Sequence, residues 1–144
     1  MNKELLDRGR QVLRQQPFSV LLGAELTAFE PGRAELRLPI RQELKQQHGF
    51  VHGGAVSYLA DNALTYAGGS AVPGHGVVTS EFKINYLRPA IGDVLVARAS
   101  VLYAGKTQIV CRCDVFAITG SEEKLCATAQ GTIAPLGAPS SSDT

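Results

Sequence analysis

At 144 residues the chain has the size of one domain, and with 44% hydrophobic and 19% charged residues it has the make-up of an ordinary folded protein, not a disordered or fibrous one. Fourteen Lys and Arg against 13 Asp and Glu leave a net charge of +1. No basic face for nucleic acid is therefore expected, and an anionic ligand has to be held by a few local cations. No apolar run approaches membrane-spanning length, and Glu4 and Asp7 fall where a signal or transit peptide would be apolar or acid-poor. The expectation is a cytoplasmic protein with no membrane partner. Cys111, Cys113 and Cys126 include no Cys-x-x-Cys pair, so they read as buried, reduced thiols and no metal site is expected.

Residues 2–16 place Leu5, Leu6, Val12 and Leu13 among polar side chains, which predicts a short amphipathic helix closed by Pro17. Residues 1–17 are therefore taken as an N-terminal helical segment. Residues 24–40 alternate on both sides of Pro31-Gly32, a turn pair that suits a hairpin. Residues 41–51 have no sustained period. After Gly53-Gly54, residues Ala55, Val56, Leu59, Ala60, Ala63, Leu64 and Ala67 recur at helical spacing up to Gly68-Gly69. Because apolar residues cover most of its circumference, this helix should be buried on several sides.

Four strands are predicted next, over residues 77–87, 93–103, 107–118 and 124–134, with breaks short enough for an antiparallel meander. In the first of them Val78, Ser80, Phe82, Ile84 and Tyr86 form a largely apolar face, with Thr79, Glu81, Lys83 and Asn85 on a polar one. Residues 136–144 read as a disordered tail. The simplest arrangement is α+β: a curved antiparallel sheet wrapped round one central helix, with residues 18–135 as the main domain. Its open edges and uncovered face favour pairing with a second copy.

Hydrolysis of a thioester needs a donor for the developing oxyanion and a carboxylate or other base to deliver the attack. A helix start supplies the donor through its unpaired backbone N–H groups. Gly53 and Gly54 sit at such a start, and without a Cβ they let a ligand carbonyl approach the backbone. Asp61 lies about two turns on, in an otherwise apolar helix. It either points to solvent from a polar stripe with Ser57 and Thr65 or lines a site. His52 could cap the helix, bond the loop or act as an acid-base group. Gly105-Lys106-Thr107 and Arg88-Pro89 are ordinary turn sequences that also offer cations to phosphate.

The order of residues 46–54 (QQHGFVHGG), Leu59-Ala60-Asp61, residues 85–89 (NYLRP) and Gly105-Lys106-Thr107 resembles the hotdog-fold thioesterase superfamily. The likeness is to its branch of phenylacetate-degradation and 4-hydroxybenzoyl-CoA thioesterases, over about residues 18–135. The resemblance implies an acyl-CoA thioesterase acting on an aromatic or short- to medium-chain acyl group, without a cofactor. It makes Asp61 the catalytic carboxylate and the Gly53 N–H the group that polarises the carbonyl, contributed by different subunits of a homodimer or of a dimer of dimers. His52 and Gly54 would support the loop or the substrate, and Gln46 would orient the carbonyl or the attacking water. Thr65 and Thr79 would hold substrate or water. Tyr86, Arg88 and Pro89, with Gly105, Lys106 and Thr107, would contact CoA, Arg88 and Lys106 facing its phosphates. Phe50, Tyr58, Tyr66 and Phe82 suit an aromatic or a medium aliphatic acyl group. Whether Asp61 attacks as a nucleophile or directs water stays open.

Two other functions fit the same fold. A non-catalytic acyl-CoA-binding protein would not require the mid-helix Asp61. A hydratase or dehydratase would put a catalytic His and an acidic partner on the helix, whereas His52 precedes it.

Overall fold

The computed structural model describes residues 3–137. Helix α1 (Lys3–Arg14) buries Leu6, Gly9 and Leu13, and a second short helix, α2 (Pro17–Leu22), follows it. Pro17, expected to close the helical segment, instead opens a new one. At the first helical position its missing N–H costs nothing and its fixed φ is already helical. Gly23, at φ 88°, ends the helix in the left-handed conformation that glycine adopts freely.

The hairpin is β1 (Glu25–Glu30) and β2 (Arg33–Pro39), and the central helix is α3 (Gly53–Gly69). Strands β3 (Val77–Tyr86), β4 (Val94–Ala104), β5 (Ile109–Thr119) and β6 (Glu122–Pro135) complete one antiparallel sheet in the order β1-β2-β4-β5-β6-β3. The meander holds for β4 to β6 but not for β3, which pairs with β6 at the far edge. The segment after Tyr86 must therefore carry the chain across three strand spacings, about 14 Å. Seven residues, 87–93, can span more than that.

Small residues set how deeply α3 sits. On the concave face Leu36, Ala97, Val115 and Ala127 stand in one row, with Ala34, Ala99, Cys113 and Ala129 in the next. The helix answers with Ala60, Ala63 and Ala67, each 0% exposed, and with Gly68, where an added Cβ would lie 2.7 Å from Ile133. Register shifts leave Thr27, Ser80, Leu102 and Cys126 as extra residues in their strands, and such bulges bend and twist a sheet. On the outer face Arg98 binds Glu35 (2.9 Å) and Glu123 (2.6 Å), tying β2, β4 and β6 together above Phe116.

The bulge at Ser80 also overturns the expected faces of β3. Val78 is 46% exposed, and Thr79 turns inward on the same side as Phe82 and Ile84, because the extra residue shifts the alternation by one. The tail expected over residues 136–144 lies, from Ala138 on, outside the described residues.

All three thiols are buried as expected, and burial pushes Cys111 and Cys126 up to about 11 and Cys113 to about 12. They should stay silent to a thiol-trapping dye at pH 8 until the protein is unfolded; stoichiometric labelling of the folded chain would contradict the packing. Gly68→Ala should destabilise by about 1–3 kcal/mol through overpacking. A thermal melt would show this as a Tm several degrees lower, against the gain that alanine brings to a helix free of contacts.

Candidate active site

The elements that start α3 build one half of the site. A bridge between Lys45 and Val51 closes a loop that turns at Gly49 (φ 88°). Its base is held by the His52 N–H donating to the Leu44 carbonyl (2.8 Å) and the Val51 N–H to that of Ala90 (3.0 Å). His52 is the N-cap of α3: its Nδ1 accepts from the Gly54 N–H at 2.8 Å, which puts the proton of the neutral ring on Nε2. That cap explains one glycine, since a Cβ on Gly54 would lie 3.0 Å from His52 Nδ1.

Gly53 is open instead. Among the described residues nothing accepts from its N–H, and a Cβ there would lie nearest to Tyr86, in ordinary contact with its ring at 3.5 Å. Tyr86 donates its hydroxyl to the Gly53 carbonyl (3.2 Å). Gln46 accepts from the His48 N–H through its side-chain oxygen, which leaves its amide N–H groups as donors. A cleft of about 380 Å³ brings together Gln46, Phe50, Gly53, Tyr86, Arg88 and Pro89.

Asp61 belongs to a different place. A rise of eight residues puts it about 12 Å along α3 from Gly53 and about 80° round the axis. Its Oδ1 accepts from Thr79 Oγ1 at 2.6 Å, a contact that the Ser80 bulge makes possible, and its Oδ2 has no protein donor among the described residues. Thr65 Oγ1 donates back to the helix carbonyls of Asn62 (2.7 Å) and Asp61 (3.1 Å). Asp61 opens on a recess of about 180 Å³ with Phe18, Tyr58, Asn62 and Thr65.

The wall of that recess is a polar network that sequence reasoning missed. Tyr58 donates to Ser19 Oγ (2.6 Å), Ser19 to Gln16 Oε1 (2.6 Å), and the Asn62 amide to Gln16, Ser19 and Tyr58. Burial pushes the Tyr58 hydroxyl upward, so it stays protonated and remains a donor. The network fastens α2 to α3 beside Asp61. Its signal in the sequence was Asn62, a second polar residue next to Asp61 in an apolar helix, together with Ser19 inside an apolar turn.

The remaining expected residues fall on both sides of this division. The exposed hairpin tip Gly105-Lys106-Thr107 closes through the Gly105 N–H to the Gln108 carbonyl (2.8 Å) and lies beyond Ile109, whose row continues through Ile133 to Thr79. Arg88 follows Tyr86, which pairs with Ala127. Between Ala127 and Ile133 of β6 lie about 20 Å, so within one chain Arg88 and Lys106 stand at opposite ends of the sheet. Thus Gln46, His52, Gly53, Gly54, Tyr86, Arg88 and Pro89 gather at one end, and Asp61, Thr65, Thr79 and the 105–107 tip at the other.

The Thioesterase superfamily matches residues 48–124. A thioesterase family protein from Silicibacter pomeroyi superposes with a TM-score of 0.85 at 39% identity, over 88% of this chain and 94% of that one. The 1,4-dihydroxy-2-naphthoyl-CoA hydrolase of Listeria monocytogenes is 28% identical over 78% of this chain and 90% of its own. The acyl-coenzyme A thioesterase PaaI of Escherichia coli is 35% identical over 59% of this chain and 60% of its own. With a sheet curved round one buried helix and an open glycine at the start of that helix, the chain belongs to the thioesterase superfamily, as a hotdog-fold thioester hydrolase.

Proposed function

We propose that this protein is a cytoplasmic acyl-CoA thioesterase working as a homodimer, each site combining the helix start of one protomer with Asp61 of its partner. The observation that carries this reading is the division of the site: the free Gly53 N–H opens a 17-residue helix, and the free Asp61 Oδ2 stands at its middle, about 12 Å further along and turned to another side. Strand β3 runs past both, from Thr79 at Asp61 to Tyr86 at Gly53, and it is an edge strand. Two copies of β3 paired antiparallel about a two-fold axis bring the Asp61 end of one against the Gly53 end of the other. The 105–107 tip of the first then comes near Arg88 of the second, which puts two cations beside one CoA.

The chemistry follows. The thioester carbonyl oxygen accepts from the Gly53 N–H, and this hydrogen bond at the positive helix start strengthens as the oxyanion develops. Gln46 donates from the same side. The Asp61 carboxylate, steered by Thr79, either takes a proton from a water that adds to the carbonyl carbon, or adds itself; in both cases the CoA thiolate leaves, and in the second a water then cleaves the mixed anhydride, releasing the acid and restoring the carboxylate. Two relatives named for acyl-CoA substrates support CoA as the leaving group.

Asp61→Ala should lower kcat at least about 100-fold, the scale on which a lost oxyanion donor (about 2.7–4 kcal/mol) is felt. Gly53→Pro is the more selective probe. Proline suits the first helical position, and His52 already has the extended backbone (φ −60°, ψ 137°) that a following proline requires. This substitution removes the one N–H and should cost about 10²–10³ in kcat with the melting temperature unchanged. A purified heterodimer of Gly53→Pro with Asp61→Ala should recover roughly half of wild-type turnover, because one of its two sites is intact. A heterodimer as inactive as its parents, or a monomeric mass by light scattering, would overturn the shared site.

A further inference from the structure

A cavity of about 630 Å³ lies away from the helix start, between α1 and the C-terminal half of α3. Gln16, Asn62 and Thr65 line both this cavity and the recess that holds Asp61. Arg8 is an exposed member of its lining, and three of the polar groups around it are spent on the protein itself. Thr65 donates to helix carbonyls, Tyr66 to the Gly9 carbonyl (2.7 Å) and Ser70 to that of Ala67 (2.6 Å). Leu5, Val12, Phe29, Val72 and Val77 supply the apolar lining.

We infer that this cavity is the acyl pocket and that it takes a medium-chain aliphatic acyl group, α1 forming the wall that admits the chain. The inference rests on the proposed function: with the thioester carbon at Asp61, the acyl chain passes Asn62 and Thr65 and runs along α3 toward Gly69. That stretch is about 10 Å of helix. Size decides the class of acyl group. A dry cavity of about 150 Å³ already holds a benzene ring, so one aryl ring would leave most of this volume empty. The whole lies within the range of about 300–1,000 Å³ usual for small-molecule sites. At the far end, in the loop after α3, His75 Nδ1 is buried without a hydrogen-bond partner among the described residues.

The absence of tryptophan offers a direct test. Val12→Trp, at a position 49% exposed, places a sole indole on the α1 wall. A non-hydrolysable decanoyl-CoA thioether should change its emission saturably, whereas the acetyl analogue and free CoA should not. In the second arm Val72→Phe narrows the pocket. Its ratio of kcat/KM for decanoyl-CoA over acetyl-CoA should fall at least about tenfold, the discrimination that one methylene commands in an apolar pocket. The inference is overturned if the decanoyl analogue binds by calorimetry without moving the indole emission, if it does not bind at all, or if Val72→Phe lowers both substrates alike. A protein whose indole responds to the decanoyl analogue while the wild type releases no thiol from any acyl-CoA would support the pocket and overturn the thioesterase reading instead.

Discussion

The structure depends on how closely α3 approaches the sheet. A helix with large side chains stands well off its neighbours. Here alanine and glycine on the helix meet alanine, cysteine and glycine on the concave face, so the sheet can curl round it and touch it from several strands. The bulges in β1, β3, β4 and β6 supply the bend that a flat sheet lacks. Being buried on most sides, α3 has few places where a polar group can be tolerated, and those places are where the chemistry collects. Its first N–H groups emerge at one end of the sheet. Its one acidic residue needs a donor and a recess, and it has both in Thr79 and the pocket under α2.

The same closeness gives α2 its importance. Six residues of helix could not hold their place by propensity, and Phe18, Val20 and Leu21 are largely exposed. What holds α2 is the hydrogen-bonded set of Gln16, Ser19, Tyr58 and Asn62, in which Ser19 is 1% exposed. A buried polar network of this kind is stable only when every member is satisfied, and each of the four has a partner. The recess beside Asp61 is thus built jointly by α3 and the segment of Gln16, Phe18 and Ser19, and it is as rigid as that network.

Much of this was legible in the sequence, for local reasons. The 3.6-residue period marked α3 and its burial, the two-residue period marked the strands, and the glycines at 53 and 54 marked the helix start. The two glycines turned out to differ: Gly54 makes room for the His52 cap, whereas Gly53 stays open. What local pattern could not carry was anything set by distant partners. The place of β3 at the far edge depends on β6, some forty residues on. The inward turn of Thr79 depends on one unpaired residue, Ser80, and alternation read along the strand assigns it to the wrong face. The second helix was hidden because Pro17 stops one helix and starts another equally well.

The division of the site is in the end a matter of helix geometry. A helix start and a side chain two turns away diverge in both height and direction, so one copy of α3 cannot aim both at a single carbonyl. Moving Asp61 toward the N-terminus would bring the groups closer in height, but it would put the carboxylate beside the N–H that the oxyanion needs, and the two would pair with each other. Separation keeps both free, and the free Gly53 N–H and Asp61 Oδ2 are that separation in atomic terms. On the proposed function a two-fold axis is the least costly way to reunite them. It needs no new element, only the edge strand β3, which already runs from Asp61 to the start of the helix and offers unpaired backbone groups along one side.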